Sequence, residues 1–500
     1  MNFQCEETIR TIRCENHIAL EMRCDRFSLR RFFVAFLFLI TVCGCSEAPD
    51  QTVEQTAVVM PPKLLNVLFV DSTEVADEVA RRWTADRNGE LAISSVSADE
   101  YLANDYAASE QHDVVIYPAR LLGQLSADDQ VIPLPDEVWN SEELDNRGLL
   151  RDSRTTLIRF GDQRWAVPLG SPGLRMMLRK DVLDALELQV PKTWPDFVQL
   201  IEKLSSSKPV DEDGNALPVD LYFPTDGQYA AYSLLAISAS TVRHRGKLNS
   251  VFNRQTMEPL IAEPPYAEAL ATLREVTSRA KGSTVEQAVS KFFQGEAAVV
   301  VGWPTAAFGD EAEVSDATLD NCIVARLPGS RRWYDFSSSR WQPNDDGVAQ
   351  VELTGFTAIQ ASLLTSNRHP TTAYDFLSWL GSKKVAISVF SKCPNSSPTR
   401  ASHLGNTQSW TGELLSVENN DIYADQITQI NEQPVFLMFP RINGIEEYLA
   451  SLSEGVRSYL NEEATDPNAV LRKVADQWNV MTEKYDRNQQ EKLLRMDFGL

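Results

Sequence analysis

The chain has 500 residues, 43% of them apolar and 23% charged, an ordinary balance for a folded protein. Its 70 acidic residues against 47 basic ones leave a formal charge of −23, which argues against nucleic acid and anionic membrane surfaces as partners. With an N-terminal export segment set aside, about 440 residues remain, long for one hydrophobic core, so two or more lobes are expected.

The first element is that export segment. Arg26, Arg30 and Arg31 flank an apolar run from Phe32 to Val42. The run falls short of the roughly 20 residues that a membrane-spanning helix needs, and small residues follow it, as in a secretory signal. Val42-Cys43-Gly44-Cys45 resembles the lipobox of bacterial lipoproteins, with Cys43 where Ala or Ser is usual. The resemblance implies cleavage before Cys45 and lipid on that cysteine, so that the mature protein is extracytoplasmic and membrane-anchored. Glu6, Glu7, Glu15 and Glu21 stand where a basic leader should be, whereas Met22 opens a basic one; translation is expected to start at Met22. Residues 45–62 are mostly polar and read as a flexible tether. Beyond them only Cys322 and Cys393 remain, in a compartment that permits a disulfide but with too few cysteines to establish one.

From Lys63 the pattern is α/β. Leu64-Leu-Asn-Val-Leu-Phe-Val70 reads as a buried parallel strand, Asp71-Ser72-Thr73 as the turn after it, and Val75, Val79 and Trp83 as the inward face of a helix. Asp113 to Tyr117 is a second strand, closed by Pro118. Thr193 caps a helix with Pro195 in its first turn and Phe197, Leu200, Ile201 and Leu204 on one face. Val285, Ala288, Val289, Phe292 and Phe293 form another helical face, ended by Gly295 and followed by the strand Ala297 to Val301. Pro370 opens a helix with Ala373, Phe376, Leu377 and Leu380 inward and Gly381 beyond its end. Residues 205–220 and 310–350, rich in Ser, Asp, Gly and Pro, read as loops or insertions.

Catalytic signatures are missing from the sequence. His112, His244, His369 and His403 have no metal-ligand spacing, Gly170-Ser-Pro-Gly173 is no nucleophile elbow, and Gly246-Lys247 lacks the rest of a phosphate loop. No enzyme, metal or cofactor is expected.

An ordered set of segments resembles the bacterial extracellular solute-binding proteins of ABC importers, the sugar-binding group in particular. Trp165-Ala-Val-Pro-Leu-Gly170, Leu178-Arg-Lys-Asp-Val-Leu183 and Val190-Pro-Lys-Thr-Trp194 are similar to that group's "vP", "YNKDLL" and "PKTWEE" stretches. Phe292 to Trp303 resembles its "F-x-x-G-x-A-A-M … W" segment, Leu353 to Ile359 with the Ala373–Leu380 helix its "GG … l-I" and "A-x-x-F-L-x-x-L", and Pro398-Thr-Arg400 its "P-x-R" turn. Departures occur at Met177-Leu178-Arg179, at Phe356 in place of a second Gly, and in the long 310–350 loop.

The resemblance, which covers residues 63–490, implies a two-lobed periplasmic-binding-protein fold of type II, with the ligand cleft between lobes joined by crossing segments. Residues 63–167 plus 356–404 would form lobe one, and 171–353 plus 406–500 lobe two, with crossings near Val167–Ser171, Thr354–Phe356 and Ala401–Asn406. It also implies a monomer that captures a small solute, a carbohydrate, by hinge closure and passes it to ABC permease subunits; the same fold also serves sensors that report to a membrane receptor, and less commonly a secreted enzyme.

Candidate cleft residues follow. Tyr117 and Trp303 stand where the family places aromatics for stacking or for the cleft floor, with core packing as the other reading. Arg120 follows in the same loop as Tyr117, either binding a hydroxyl or carboxylate or lying on the surface. Asp71, Ser72 and Thr73 sit after the first strand, where open α/β sheets bind ligands, although Asp71 is also placed to cap the next helix. Gly170 and Ser171 on one crossing offer backbone amides, and Gly355 and Phe356 lie on another. Tyr232, or Tyr229 beside it, is placed to reach the cleft from lobe two. Trp333, Tyr334 and Trp341 either form a lid or pack the long loop down.

Overall fold

The computed structural model describes residues 63–103, 111–245, 247, 251–305, 314–394, 396–432 and 435–500. The export signal, Met22, Cys45 and the tether lie outside the described residues. No described helix is long and apolar enough to cross a membrane. In chain order the strands are β1 Lys63–Val70, β2 Gly89–Val96, β3 Val114–Pro118, β4 Val131–Ile132, β5 Arg159–Phe160, β6 Gln163–Arg164, β7 Val167–Gly170, β8 Arg175–Arg179 and β9 Asp220–Pro224. They continue with β10 Lys281–Ser283, β11 Ala297–Gly302, β12 Cys322–Arg326, β13 Arg332–Asp335, β14 Arg340–Pro343, β15 Glu352–Thr354, β16 Ile359–Leu364 and β17 Phe436–Met438.

Two mixed sheets form two lobes. The first runs β2-β1-β3-β16-β4, with β7 also paired to β16. β1 is parallel to β2 and β3, while β16 is antiparallel to β3, β4 and β7. The second sheet runs β10-β9-β11-β8-β12, with β8 antiparallel to both neighbours. β3, β11 and β16 are buried at every position, as strands covered on both faces are. Trp83 illustrates this on the first lobe: it is fully buried in the helix Ala76–Arg87, edge-on to Phe376 and to Trp379, both at 5.2 Å, on the helix Pro370–Leu380. Thr193 closes a capping box with Asp196 on the helix Trp194–Ser206, and Thr284 does the same with Gln287 on Val285–Phe293.

The stretch 310–350 is not simply a loop. Its described part holds a short helix, Asp316–Asn321, the edge strand β12 of the second sheet, and the β13–β14 hairpin. β12 was masked in the sequence because five residues, Cys-Ile-Val-Ala-Arg, are a weak signal within polar surroundings. Trp333, Tyr334 and Trp341 belong to the hairpin and pack it down. Trp333 stacks on His244 at 4.3 Å, Tyr334 meets Trp341 edge-on, and Arg332 lies over the Trp341 ring. Cys322 and Cys393 are both buried and form no disulfide.

Candidate binding site

The chain passes between the sheets at Gly170–Gly173, between β7 and β8, and again at Gly355–Thr357, between β15 and β16. Gly170 is required by close approach: a Cβ there would lie 2.6 Å from Ser396 Cα. Ser396 donates to the Leu169 carbonyl, and the Ser171 amide donates to Ser397 Oγ at 3.0 Å. The expectation that Ser171 presents an open amide is therefore corrected. Its hydroxyl in turn sits 3.3 Å from Thr354 Oγ1 on the second passage. That passage turns at Gly355, with φ of +79°, a conformation side chains rarely adopt. β15 gains a partner there by pairing in parallel with β17.

Phe356, buried, ties the two sheets' ends together. Its ring stacks on Tyr232 of the helix Tyr229–Val242, with centroids 4.5 Å apart and planes 13° from parallel. Its carbonyl accepts from Arg120 Nη1. Arg120, which directly follows β3, is 5% exposed and carries two more bonds: Nη2 to Asp71 at 3.0 Å and Nε to Glu446 at 2.6 Å. Burial works against this charge, but Glu446 and Asp71 outweigh it and raise the proton affinity of the guanidinium. Arg120 is thus neither a surface residue nor an open ligand for an anion, because its fork is already engaged. Asp71, at φ of +48°, also accepts from the amide of Ala98, so it caps the helix Ala98–Ala103 rather than the helix after Thr73. Glu446 comes from the first turn of the helix Ile445–Leu460, which packs on Tyr229–Val242. Sequence reading missed Glu446, because an acid in a first helical turn is commonplace.

Tyr117 has no exposed ring face. Its hydroxyl sits between Ser362 Oγ at 2.8 Å and Gln360 Nε2 at 2.9 Å, on the neighbouring strand β16, and burial pushes its pKa up to about 12. The stacking role expected for it gives way to packing, since both faces of the first sheet are covered. Thr73 is exposed at the start of a helical turn.

Three buried groups contrast with these. Ser72 Oγ lies just past the end of β1; Trp303 Nε1 and Thr305 Oγ1 lie just past the end of β11. Each is no more than 1% exposed and has no hydrogen-bond partner among the described residues. Buried polar groups are nearly always paired, so unpaired ones at the carboxyl ends of open α/β sheets are candidates for contact with a ligand. Arg175 and Glu352 form a second buried pair, at 3.1 Å, beside Tyr423. The charges at both ends of Arg175-Met-Met-Leu-Arg179 were the available signal for it. Among the described residues no group of three or more His, Cys, Asp or Glu is placed to hold a metal ion.

Residues 71–387 match the family described as bacterial extracellular solute-binding protein. No curated protein sequence matches the chain. Among solved structures, a solute-binding protein of an ABC transporter from Agrobacterium radiobacter, in complex with ribitol, is 17% identical with a TM-score of 0.63, covering 84% of this chain and 100% of its own. Maltose-bound MalE3 of T. maritima is 13% identical, TM-score 0.61, with coverages of 84% and 99%. A solute-binding protein from Agrobacterium vitis with bound D-mannitol is 16% identical, TM-score 0.60, with coverages of 85% and 99%.

Proposed function

The chain belongs to the bacterial extracellular solute-binding protein family, a family of binding proteins rather than enzymes, and from that premise we propose that it captures a sugar or sugar alcohol between its lobes and delivers it to an ABC importer. The observation that carries this reading is the trio of buried, unpartnered groups, Ser72 Oγ, Trp303 Nε1 and Thr305 Oγ1. All three are neutral, as suits a solute that offers hydroxyls rather than charge. Trp303 contributes an indole N–H, a donor that a sugar hydroxyl can meet; its ring is packed as that of Tyr117 is. The ligands of the similar folds, ribitol, maltose and D-mannitol, are polyhydroxylated. Residues 63–167 plus 356–404 are read as one lobe and 171–353 plus 406–500 as the other. Closure of the lobes on the solute supplies the transport-competent state.

A thermal-shift screen over sugars, polyols and oligosaccharides tests the reading, because a ligand that binds only the native state raises Tm by mass action. At least one polyol or sugar should shift the melt, and Trp303→Ala should weaken its binding without unfolding the protein. A shift by amines or anions alone, with none from sugars or polyols, overturns it. The anchor on Cys45 is part of the same proposal: Cys45→Ala should move the protein from the membrane to the soluble fraction, and an unchanged distribution counts against lipidation.

A further inference from the structure

A cavity of about 700 Å³ lies between the end of the helix Tyr229–Val242, the end of β12, the loop 344–351 and the end of the helix Val417–Glu432. Four basic side chains line it, Arg243, His244, Arg245 and Arg326, against two acids, Asp345 and Asp346. Both acids are exposed, and Asp346 is engaged with Arg245 at 3.6 Å. In a chain with a formal charge of −23, such a basic cavity is out of keeping with the whole.

Arg326 is the centre of it. In β12 it stands directly opposite Arg175 of β8, so two guanidiniums compete for Glu352. Arg175 holds that acid at 3.1 Å. Arg326 donates from Nη2 to the Gln350 carbonyl at 2.6 Å and makes no ion pair among the described residues. Arg243, 8% exposed, donates from Nε to the Phe436 carbonyl at 2.7 Å and also to the Lys247 carbonyl. Burial lowers the proton affinity of both side chains, bringing Arg243 to about 10. For Arg326, half-buried and without an ion pair among the described residues, a planar oxyanion is the counter-charge that matches its fork best.

We propose that this cavity is a second binding site, lined by none of the three groups assigned to the solute, for a small oxyanion carrying a carboxylate or phosphate group, with Arg326 as its principal partner and Arg243 beside it. Gln350 and Val351 lead straight into β15, and Val435 into β17, so the bound anion touches the roots of the paired strands beside the second passage between the sheets.

Titration calorimetry and thermal melts of the full chain with inorganic phosphate and with succinate, at ionic strength held constant with chloride, test the site. The expected result is saturable binding of at least one of them with a raised Tm. Phosphate alone or succinate alone then identifies which oxyanion the site takes. Arg326→Gln should weaken binding at least tenfold, about 1.4 kcal/mol, while Arg332→Gln, on the β13–β14 hairpin, should not. Val348→Glu places a carboxylate among the lining residues and should also abolish binding, which decides the matter if Arg326→Gln fails to fold. No saturable binding of either anion, or equal binding by wild type and Val348→Glu, overturns the proposal.

Discussion

Two places in the molecule handle buried polarity in opposite ways. At Arg120 every charge has a counter-charge: Asp71 on one side, Glu446 on the other, and the Phe356 carbonyl between. At the end of β11, Trp303 and Thr305 are as deeply buried, yet their donors have no partner among the described residues. The difference follows from cost. An unpaired buried charge is worth several kcal/mol against the fold, whereas a neutral donor left open costs only about 1–3 kcal/mol. Here the groups open to a neutral solute are themselves neutral, while the charge of Arg120 is tied down by the protein itself.

The sharpest way to break that comparison is Arg120→Ala. It strands Asp71 and Glu446 near each other and should cost about 3 kcal/mol in urea unfolding. A loss below about 1 kcal/mol would mean the three charges do not act as a structural knot. Asp152 extends the comparison, since it is a half-buried acid whose Oδ2 accepts from Thr354 while its Oδ1 atom is buried and lacks a partner among the described residues. Burial, with Glu352 adding to it, pushes its pKa up to about 6, so the group answers by neutralising. A carboxyl with a raised pKa favours the fold when protonated. Stability should fall as pH rises from about 4 through about 6 and then level off. Asp152→Asn should therefore gain about 2 kcal/mol at about pH 7.5 and nothing below about pH 4, measured by denaturation across that range.

Smaller effects probe the open donors. Trp303→Phe keeps most of the ring and removes the N–H. It should leave unfolding within about 0.5 kcal/mol of wild type, yet weaken a solute found in the screen about tenfold, roughly 1.4 kcal/mol. A loss of stability instead would make Nε1 a structural group. Ser72→Ala should follow the same pattern at about 1 kcal/mol or less in affinity, read by calorimetry.

The elements with long apolar runs or full caps were legible in the sequence: β1, β11, the Thr193 and Thr284 caps, and the helix from Pro370. What escaped was either short or distant. β4, β5 and β6 are two residues each and β17 three, too short to show a period. The aromatic at Tyr117 was placed correctly at a strand end, but its burial was not readable, since a strand covered on both faces has no alternation to reveal which side is open. The role of Arg120 depended on Asp71 and Glu446, 49 and 326 positions away in sequence. Such a pairing leaves no local trace. Ser72 and Trp303 could be listed from their strand-end positions, but that their polar atoms are buried and unpaired is a fact of three dimensions.

The place of β16 in the first sheet has a consequence for the order in which the protein is assembled. β16 separates β3 from β4 and supports β7, yet it is made some 240 residues after β3. The sheet begun by the first strand of the molecule cannot close until Leu364 has emerged. A still later step completes the neighbouring segment 156–159, whose carbonyls are held by Arg441, itself fixed by Asp497 at 2.5 Å. The first sheet and the segment 156–159 thus rest on contacts of high sequence separation, the kind that forms slowly in folding.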